Sequence, residues 1–299
     1  MSVKVKYRTI LVTGANGLLG SGILRRICLS KYTLVGINHS PINLRIGGVE
    51  YRNLDFASDW VTDSLPPKVD VIVHLAQSHS FRDFPNSALD VFKVNIESTA
   101  CLLDYARQAG VKKFIYASSG GVYGNGAQAF KENSPIVPPG QLGYYLGSKA
   151  CGEILVQSYA SVFDVVVVRP FFIYGPGQNR SMLIPRLFDS VATGKPISLQ
   201  GDNGIRINPI HVNDAASAVA TAIDLNESAT FNIGGPEVLS IRDICEGMGR
   251  YLGVEPIFEQ QAGEPNDLIA DISAMKQKLV VPRYSLLDSL DDVAWSSER

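Results

Sequence analysis

The chain has 299 residues, 45% of them hydrophobic, which is enough to bury a sizeable core in one large domain or two small ones. Its formal net charge of −2 gives no sign of a strongly basic face, so nucleic acid is not an expected partner. The apolar runs fall well below the roughly 18 to 20 residues of a membrane-spanning helix, so no membrane partner is expected either.

Short apolar runs alternate with helix-like segments along the first half of the chain. RTILVTG predicts a buried strand rather than a secretion signal, because its apolar part is short and runs into glycines. A helix is predicted from Leu18 to about Ser30, followed by strands in YTLVGI, VEYRNLD and VDVIVHLA. SALDVFKVNIESTACLLDYARQAG has helical spacing and ends at Gly110, and KKFIYASS and FDVVVVRP predict two further strands.

Strands that are apolar throughout and alternate with helices indicate a parallel sheet covered on both faces. We therefore predict an α/β fold, a Rossmann-type doubly wound parallel sheet with a smaller C-terminal α/β substrate lobe. Residues 1–170 are assigned to the dinucleotide-binding domain, to which the chain returns at about 205–226. Residues 171–204 and 227–299 are assigned to the substrate lobe.

The cysteines and histidines argue against disulfides and metal. Cys28, Cys101, Cys151 and Cys245 are scattered without a CxxC pair, which favours a reduced, cytoplasmic setting. The histidines have no metal-ligand spacing, and no third ligand lies near His74 and His79, so no metal site is expected.

A glycine-rich turn follows the first predicted strand. TGANGLLG places Gly14, Gly17 and Gly20 between this strand and the first helix. Glycine permits sharp turns and close approach of a phosphate, and a helix N-terminus supplies free N–H groups and a positive dipole end. A plain strand-to-helix turn would also contain glycines. The position of TGANGLLG at the first strand of an alternating pattern favours a dinucleotide site, although its glycine spacing is GxxGxxG rather than GxGxxG.

The segment GYYLGSKACGE contains a second candidate motif. Tyr145 and Lys149 are four residues apart and share a helix face, whereas Tyr144 is five residues from the lysine. Alone, such a pair is more often an ordinary polar contact on a surface helix. The glycine-rich turn upstream favours a catalytic interpretation.

These motifs together resemble those of the extended short-chain dehydrogenase/reductase superfamily, and within it the NAD-dependent epimerase/dehydratase family, whose members act mostly on nucleotide sugars. The resemblance covers nearly the whole chain. It rests on TGANGLLG, NLDFAS, VIVHLAQSHS, VNIESTACLLDYAR, FIYASSGGVYG, YLGSK, VRPFFIYGPGQ, INPIHVND and FNIGGPEVLSI, which occur in the family's order.

The resemblance implies a catalytic Ser–Tyr–Lys group. The family's YxxxK motif matches Tyr145 and Lys149, and its Ser or Thr, four residues before Tyr123, matches Ser119, with Ser118 as the less favoured neighbour. Tyr145 would take a proton from a sugar hydroxyl while hydride leaves the same carbon. A nearby ammonium and a cationic nicotinamide are expected to lower the tyrosine pKa from its ordinary value near 10. Lys149 would also hold the nicotinamide ribose.

NAD is the expected cofactor, with NADP as the open alternative. NAD-using members usually end the second strand with an acid that binds the ribose 2′-hydroxyl, and this chain has Asn38 there with no adjoining arginine. Asp55 matches the family's adenine contact. The expected cofactor-binding residues are Gly14, Asn16, Gly17, Leu18, Gly20, Asn38, His39, Asp55, Phe56, Leu75, Ala76, Asn95, Tyr145, Lys149 and Pro170.

Two glycines bear on the reaction. Dehydratase members carry an Asp-Glu pair after the catalytic Ser or Thr, whereas this chain has Gly120 and Gly121. The resemblance therefore disfavours 4,6-dehydration. It is compatible with C4 epimerisation through a transient 4-keto sugar, and with simple ketone reduction.

The expected substrate-binding residues are Ser78, Ser119, Gly120, Tyr145, Asn179 and Arg206. Nucleotide-sugar members often bind the diphosphate with two arginines, of which Arg206 matches one and Gln261 replaces the other. Arg180, Arg186 or Arg283 could substitute, although a single arginine is more often a solvated surface charge. Alternatively, the substrate lacks a diphosphate.

The sequence thus predicts a cytoplasmic, homodimeric, NAD(P)-dependent nucleotide-sugar epimerase. The rival functions are an NADPH-dependent ketoreductase of a deoxysugar or small carbonyl compound, a 4,6-dehydratase, and a non-catalytic dinucleotide sensor. The sensor is disfavoured because Ser119, Tyr145 and Lys149 are all present. Since one fold supports many functions, these site residues carry the argument.

Overall fold

The structure, a computed structural model, describes residues 8–27, 31–40, 45–263 and 266–294. The strands are β1 (Arg8–Thr13), β2 (Tyr32–Asn38), β3 (Val49–Asn53), β4 (Val71–His74), β5 (Lys113–Ala117), β6 (Asp164–Pro170), β7 (Ile173–Tyr174), β8 (Ile197–Gln200), β9 (Arg206–Ile207), β10 (Ile210–His211), β11 (Ala229–Ile233), β12 (Leu239–Ser240) and β13 (Phe258–Gln261). The α-helices are α1 (Leu18–Arg26), α2 (Ala88–Phe92), α3 (Ser98–Gln108), α4 (Gly143–Gln157), α5 (Leu183–Ala192), α6 (Val212–Ala222), α7 (Ile241–Leu252), α8 (Ser273–Lys278) and α9 (Leu290–Ala294). A π-helical turn, Lys93–Glu97, joins α2 to α3.

The six strands predicted in the first half of the chain are present as β1 to β6. The first helix ends at Arg26, where two arginines occupy the last turn and face the negative end of the helix dipole. The prediction extended this helix to about Ser30, and residues 28–30 lie outside the described part of the chain.

A seven-stranded sheet of order β11-β6-β5-β4-β1-β2-β3 forms the centre of the fold. Neighbouring strands from β3 to β6 pair in parallel, and Ile10 of β1 lies in register with Leu34 on one side and Val71 on the other. The chain builds outward from β1 to β3 and then returns to build outward from β4. This reversal confirms the doubly wound α/β prediction, and it places a crevice at the carboxyl ends of β1 and β4.

Two compact units divide the chain. Unit 1 comprises the described residues of Met1–Val122, Val137–Val168 and Val219–Thr230, and unit 2 those of Tyr123–Ile136, Arg169–Ala218 and Phe231–Arg299. The predicted domain boundary at 170 compares with 168 here, and the predicted return at about 205–226 compares with 219–230.

The segment 123–136, which the sequence prediction placed in the first domain, belongs to unit 2. Its backbone is bound there, since the N–H of Gly126 donates to Asp267 and that of Phe130 donates to Ile269. The rings of Tyr123 and Phe130 also stack, with centroids 5.0 Å apart. These contacts join residues far apart in sequence, so no local pattern indicates them.

Each unit has its own apolar core. In unit 1 the core lies between the sheet and its helices and includes Leu11, Ile72, Leu102 and Phe114, none of which exposes any surface. In unit 2 the core is formed around α5 and α7 and includes Ile184 and Ile244. Burial of such side chains contributes roughly 1.5–3 kcal/mol each to stability.

A buried chain of hydrogen bonds lies at the carboxyl ends of β1 and β4. The ring of His74 lies between two hydroxyls, with Nδ1 2.7 Å from Thr13 Oγ1 and Nε2 3.0 Å from Thr99 Oγ1. Because the Thr99 hydroxyl donates to the Asn95 carbonyl, it accepts from Nε2–H, and Nδ1 accepts from Thr13. Burial, reinforced by the charge of Lys149, lowers the pKa of this neutral imidazole to about 3.

Among the described residues, no helix combines the length and apolar character needed to cross a membrane.

The lowered pKa of His74 predicts how stability responds to acid. The unfolded chain binds this proton at about pH 6.5 and the folded chain only near pH 3, so unfolding becomes easier as pH falls between these values. One such group contributes a slope of up to about 1.4 kcal/mol per pH unit. The free energy of unfolding of His74→Gln, measured with urea at several pH values in this interval, should depend less steeply on pH than that of the parent protein. An unchanged slope would contradict the assignment.

Candidate active site

Ser119 lies in a tight turn that follows β5. The turn continues as a 3₁₀ helix over Gly120–Tyr123, and the Ser119 hydroxyl accepts a hydrogen bond from the N–H of Gly121 at 3.2 Å. A Cβ atom on Gly121 would lie 2.9 Å from a methyl of Leu146, so the turn packs closely against α4. This packing brings Ser119 to the helix that carries the predicted tyrosine and lysine. The hydroxyl of the neighbouring Ser118 is buried and has no hydrogen-bond partner among the described residues.

Lys149 is buried at the end of β5. Its ammonium donates to the carbonyl of Ala117, the last residue of that strand, at 2.9 Å, and lies 5.5 Å from the ring centroid of Tyr116. Helix α4 approaches the sheet closely here, because a Cβ atom on Gly152 would overlap the Tyr116 hydroxyl. The structure therefore anchors the lysine beside the turn that contains Ser119.

The two tyrosines of α4 have different neighbours. The hydroxyl of Tyr145 donates to Gln77 Oε1 at 3.0 Å, and its ring lies 4.6 Å from that of Phe81. The ring of Tyr144 instead stacks on Phe84, with centroids 5.0 Å apart. Of the two, Tyr145 is the one whose hydroxyl is bound to the loop after β4, and its role as base stays a prediction.

The pKa values of the pair differ from the sequence expectation. Burial raises the pKa of Tyr145 to about 12, and the charge of Arg82 opposes this only in part. Burial also lowers the pKa of Lys149 to about 8, opposed by Glu153. The expected lowering of the Tyr145 pKa by the lysine is therefore wrong for the chain's own residues, since desolvation dominates. A cationic nicotinamide, the other charge named in the sequence analysis, would favour the phenolate if bound beside Tyr145.

The glycine-rich turn fits a dinucleotide phosphate. Gly14 has a φ of +66°, and a Cβ atom there would lie 3.0 Å from the backbone nitrogen of Ala76. Gly20 has no room for a Cβ atom, which would overlap the Gly14 carbonyl. Helix α1 begins after Gly17 without a side-chain cap and without an acidic residue in its first turn, an arrangement that suits an anion at the helix N-terminus.

The end of β2 lies beside this turn. The carboxamide oxygen of Asn38 accepts the backbone N–H of Asn16 at 2.7 Å. The ring of the next residue, His39, contacts that of His79, with centroids 4.7 Å apart. The Asp55 carboxylate, expected near the adenine, is exposed and accepts the N–H of Ala57 at 2.9 Å.

Several other predicted cofactor residues have structural roles. Phe56 is buried in the core of unit 1 against Trp60, so its side chain is not presented to a ligand. The N–H groups of Leu75 and Ala76 both donate to Thr13 Oγ1 at 3.2 Å, which fixes the loop after β4.

Three further predicted cofactor residues lie at different places. Leu18 is the first residue of α1. The buried side chain of Asn95 accepts the N–H of Ser78 and donates to the Ser148 hydroxyl. Pro170, the last residue of β6, lies in unit 2.

The predicted substrate residues are divided between the units. In unit 1, Gly120 follows Ser119, whereas Ser78 is 2% exposed and its hydroxyl donates to Asp90. In unit 2, Asn179 is exposed and its side-chain oxygen accepts the N–H of Ser181. Whether these residues contact substrate stays a prediction.

Arg206 is held by an aspartate within unit 2. Its Nε and Nη2 donate to the same carboxylate oxygen of Asp267, at 2.9 and 2.6 Å, and this pairing raises the pKa of the guanidinium. Its charge is thus partly neutralised before any diphosphate binds. The sequence analysis did not detect this partner, which is 61 residues away.

A cavity of about 370 Å³ lies within unit 2. Arg186 and Gln261 both line it, together with apolar side chains of α5 and β8 such as Leu183 and Ile197. Gln261 occupies the position where an arginine was expected, and Arg186 is the candidate replacement that lines the same cavity. Arg180, another candidate, is paired with Asp189.

Sequence reasoning missed Gln77 and Phe81, which contact the side chain of Tyr145. The stretch QSHSF directly follows the strand VDVIVHLA, so these residues lie at the carboxyl edge of a parallel sheet, where ligands bind. That position was the available indication. Among the described residues, no group of three or more His, Cys, Asp or Glu is placed to hold a metal ion.

A glycine-rich turn after β1 and a tyrosine–lysine pair beside the end of β5 define a short-chain dehydrogenase/reductase. The sequence model of the NAD dependent epimerase/dehydratase family matches residues 10–234. The chain belongs to this family, which confirms the resemblance drawn from the sequence.

Three relatives illustrate the match. The uncharacterized UDP-glucose epimerase YtcB of Bacillus subtilis (strain 168) is 29% identical, over 96% of this chain and 98% of that protein. The dTDP-glucose 4,6-dehydratase of Streptomyces griseus is also 29% identical, over 96% and 93%. The crystal structure of UDP-glucuronic acid 4-epimerase from Bacillus cereus, in complex with UDP-glucuronic acid and NAD, is 27% identical with a TM-score of 0.82, over 96% and 98%.

The different neighbours of the two tyrosines predict different effects of removing their hydroxyls. Tyr145→Phe should reduce turnover by about 10² to 10⁴, the range for one positioned acid or base, with little change in melting temperature. Tyr144→Phe, the matched control, should change turnover far less because its ring stacks on Phe84. Steady-state kinetics of the two variants, with thermal unfolding alongside, make the comparison. Equal losses would show that the helix face was assigned wrongly.

Proposed function

We propose that the protein is an NAD-dependent nucleotide-sugar epimerase that inverts C4 of a hexose through a transient 4-keto sugar. One observation carries the proposal. The Ser119 turn packs on the helix of Tyr145 and Lys149, and its next two residues are glycines that place no carboxylate at the reacting sugar. This arrangement supplies proton transfer without the acid and base that an elimination of water needs.

The residues at the β1–α1 turn fit a nicotinamide dinucleotide. The turn from Gly14 to Gly17 and the first N–H groups of α1 would hold its pyrophosphate, since no side chain caps this end of the helix. Such a cofactor would supply the hydride acceptor and donor, and C4 would be inverted because the 4-keto sugar turns before the hydride returns to its opposite face. The NAD in the Bacillus cereus epimerase structure supports this cofactor.

The protein's own residues handle the proton. Tyr145 is the proposed base for the 4-hydroxyl, and it must release the carboxamide of Gln77 to accept the sugar. Ser119 would donate to the reacting oxygen and hold it in place. Lys149 donates to the Ala117 carbonyl and carries a positive charge at pH values below its pKa of about 8. It would also orient the nicotinamide ribose.

The proposed substrate is a nucleoside diphosphate hexose. The substrates for which the relatives are named support it, since they are UDP-glucose, UDP-glucuronic acid and dTDP-glucose. Because Arg206 is already paired with Asp267, we propose that Arg186 provides the principal charge for the diphosphate from the cavity it shares with Gln261. The other proposed contacts are Ser78, Gly120 and Asn179.

We propose a cytoplasmic homodimer. Helices α2 and α4 of unit 1 expose large apolar side chains, with Leu89 77% and Ile154 66% exposed, which water disfavours and a second copy would cover. The thiols of Cys101 and Cys151 are free, in keeping with a reducing compartment.

Light scattering tests the dimer. It should give twice the mass of one chain, and Ile154→Glu should shift the measured mass towards that of a single chain. A parent protein that is monomeric at micromolar concentration would refute the dimer, and fractionation of the source cells tests the compartment.

The product of the reaction tests the proposed function. Incubation with UDP-glucose, UDP-N-acetylglucosamine, UDP-glucuronic acid and their galacto counterparts, followed by NMR of the sugar, should show interconversion at C4 for at least one pair. A 4-keto-6-deoxy product would contradict the epimerase. Reduction of a simple ketone by NADPH, without turnover of any nucleotide sugar, would contradict the substrate class as well.

The role of Arg186 is tested on the substrate identified in this way. Arg186→Met should raise KM by about tenfold or more with a small change in kcat, as expected when a charged hydrogen bond to a non-reacting group is lost. Arg250→Met, which removes an exposed arginine of α7 in the same unit, is the control and should leave both constants unchanged.

A further inference from the structure

Helix α4 carries a third ionisable side chain on the face that contains the predicted base. Tyr145, Lys149 and Glu153 follow one another at intervals of four residues, which places them along one face of the helix. That face is turned towards the interior of unit 1, because Lys149 and Glu153 are each only 2% exposed. The proposed mechanism uses Tyr145 and Lys149, and it leaves Glu153 without a role.

The burial of Glu153 has to be compensated. A glutamate is almost never fully buried unless it is paired, because a charge loses its hydration in the interior of a protein. The helix N-terminus, which would favour a carboxylate, is at the other end of α4, at Gly143. A Cβ atom on Gly152 would overlap the Tyr116 hydroxyl of β5, whereas Ile154 is exposed, so this part of the helix is packed closely on the sheet. The interior of unit 1 must therefore supply an opposite charge.

Lys149 provides that opposite charge. It lies one helical turn before Glu153, and side chains four residues apart are neighbours on a helix surface. Burial lowers the pKa of Lys149 to about 8, and the charge of Glu153 opposes this lowering. Glu153 thus favours the charged form of Lys149 in a place where an unpaired ammonium would be costly.

The other ionisable groups beside Lys149 are neutral near pH 7. The ring of Tyr116 in β5 has its centroid 5.5 Å from the ammonium, and burial raises the pKa of this phenol. The imidazole of His74 in β4 is neutral because its pKa is lowered to about 3. The charged side chains on the other segments that contact α4 are at least partly exposed, namely Arg82, Asp83, Asp90, Lys93, Glu97, Asp104 and Arg107. Among the described residues, Glu153 is therefore the buried charge that acts on Lys149.

We propose that Glu153 is a positioning residue for Lys149, and that its carboxylate keeps this lysine charged and thereby sets the upper pH limit of catalysis. The inference rests on the proposed function, in which Lys149 orients the nicotinamide ribose beside Tyr145. A lysine is charged only below its pKa, so removal of the nearby negative charge should bring the loss of its proton to a lower pH. The enzyme would then lose activity at a pH where the parent protein is still active.

NMR of the lysine side chains measures the charge of Lys149 without turnover. In protein labelled with carbon-13 at the lysine Cε atoms, the signal that is absent from Lys149→Met belongs to Lys149. This signal should titrate near pH 8 in the parent protein, and at least about one pH unit lower in Glu153→Gln, as expected when a neighbouring opposite charge is lost. An unchanged midpoint in Glu153→Gln would overturn the proposal.

Two further variants serve as controls for the titration. Glu153→Asp keeps the negative charge on the same helix face and should bring the midpoint back towards that of the parent protein. Asp59→Asn removes an exposed carboxylate of unit 1 and should leave the midpoint of Lys149 unchanged. Equal shifts in Glu153→Gln and Asp59→Asn would show that the net charge of the protein, and not Glu153, sets the midpoint.

The pH profile of the reaction distinguishes control of charge from a structural role. A lysine with a pKa of about 8 keeps its proton in about half of the molecules at pH 8. In Glu153→Gln this fraction should be about a tenth or less, so kcat/KM at pH 8 should fall to about a tenth of its value at pH 6. A purely structural role would lower kcat/KM by the same factor at both pH values, and that result would overturn the proposal.

A double-mutant cycle tests the pairing by stability alone. Removal of one member leaves a buried charge without its partner, so Glu153→Gln combined with Lys149→Met should be less destabilised than the sum of the two single variants. If Glu153→Gln alone does not fold, the double variant should restore folding. Additive losses, or a double variant that also fails to fold, would refute the pairing. Absence of turnover with every nucleotide sugar would refute the proposed function, whereas an unchanged titration of Lys149 would refute this inference alone.

Discussion

Helix α4, which carries the proposed base, is bound to the rest of unit 1 through one buried side chain, that of Asn95 in the π-helical turn between α2 and α3. Its carboxamide accepts the N–H of Ser78 at 2.9 Å and donates to the hydroxyl of Ser148 at 2.8 Å, and that hydroxyl donates in turn to the Tyr145 carbonyl. The backbone carbonyl of Asn95 accepts from Thr99, which continues the chain of hydrogen bonds. A single polar residue therefore joins the loop after β4 to the helix that carries the proposed base.

The buried hydrogen bonds below the site and the hydrogen bond of the Tyr145 hydroxyl are separate sets of contacts. Through Thr99 and His74 the buried set reaches Thr13 at the end of β1, and each hydrogen bond has only one possible direction, which fixes a neutral imidazole. The hydroxyl of Tyr145, by contrast, donates to the partly buried carboxamide of Gln77. A substrate oxygen can replace that partner without disturbing the buried bonds beneath it, because the two sets of contacts share no atom.

The sequence predicted the parts of the fold and site that repeat a local pattern. The apolar strands, the glycine spacing of the first turn and the four-residue separation of Tyr145 and Lys149 all report on neighbours within one or two elements. Contacts between distant segments left no such pattern, as with the pair of Arg206 and Asp267 or the backbone bonds of segment 123–136. The sequence did not predict that the Tyr145 pKa is raised, because the shift depends on burial of the side chain in the folded protein.

The packing of Gly121 against α4 also constrains how this protein could acquire a different reaction. A side chain at position 121 would place its Cβ atom 2.9 Å from one methyl of Leu146 and 3.1 Å from the other. Leu146 directly follows Tyr145 in the helix, so any rotamer change that admits a carboxylate takes place beside the proposed base. For the proposed isomerase, acquiring a lyase activity would therefore require coordinated substitutions in the turn and in the helix, because a substitution in only one of them would disturb the surroundings of Tyr145.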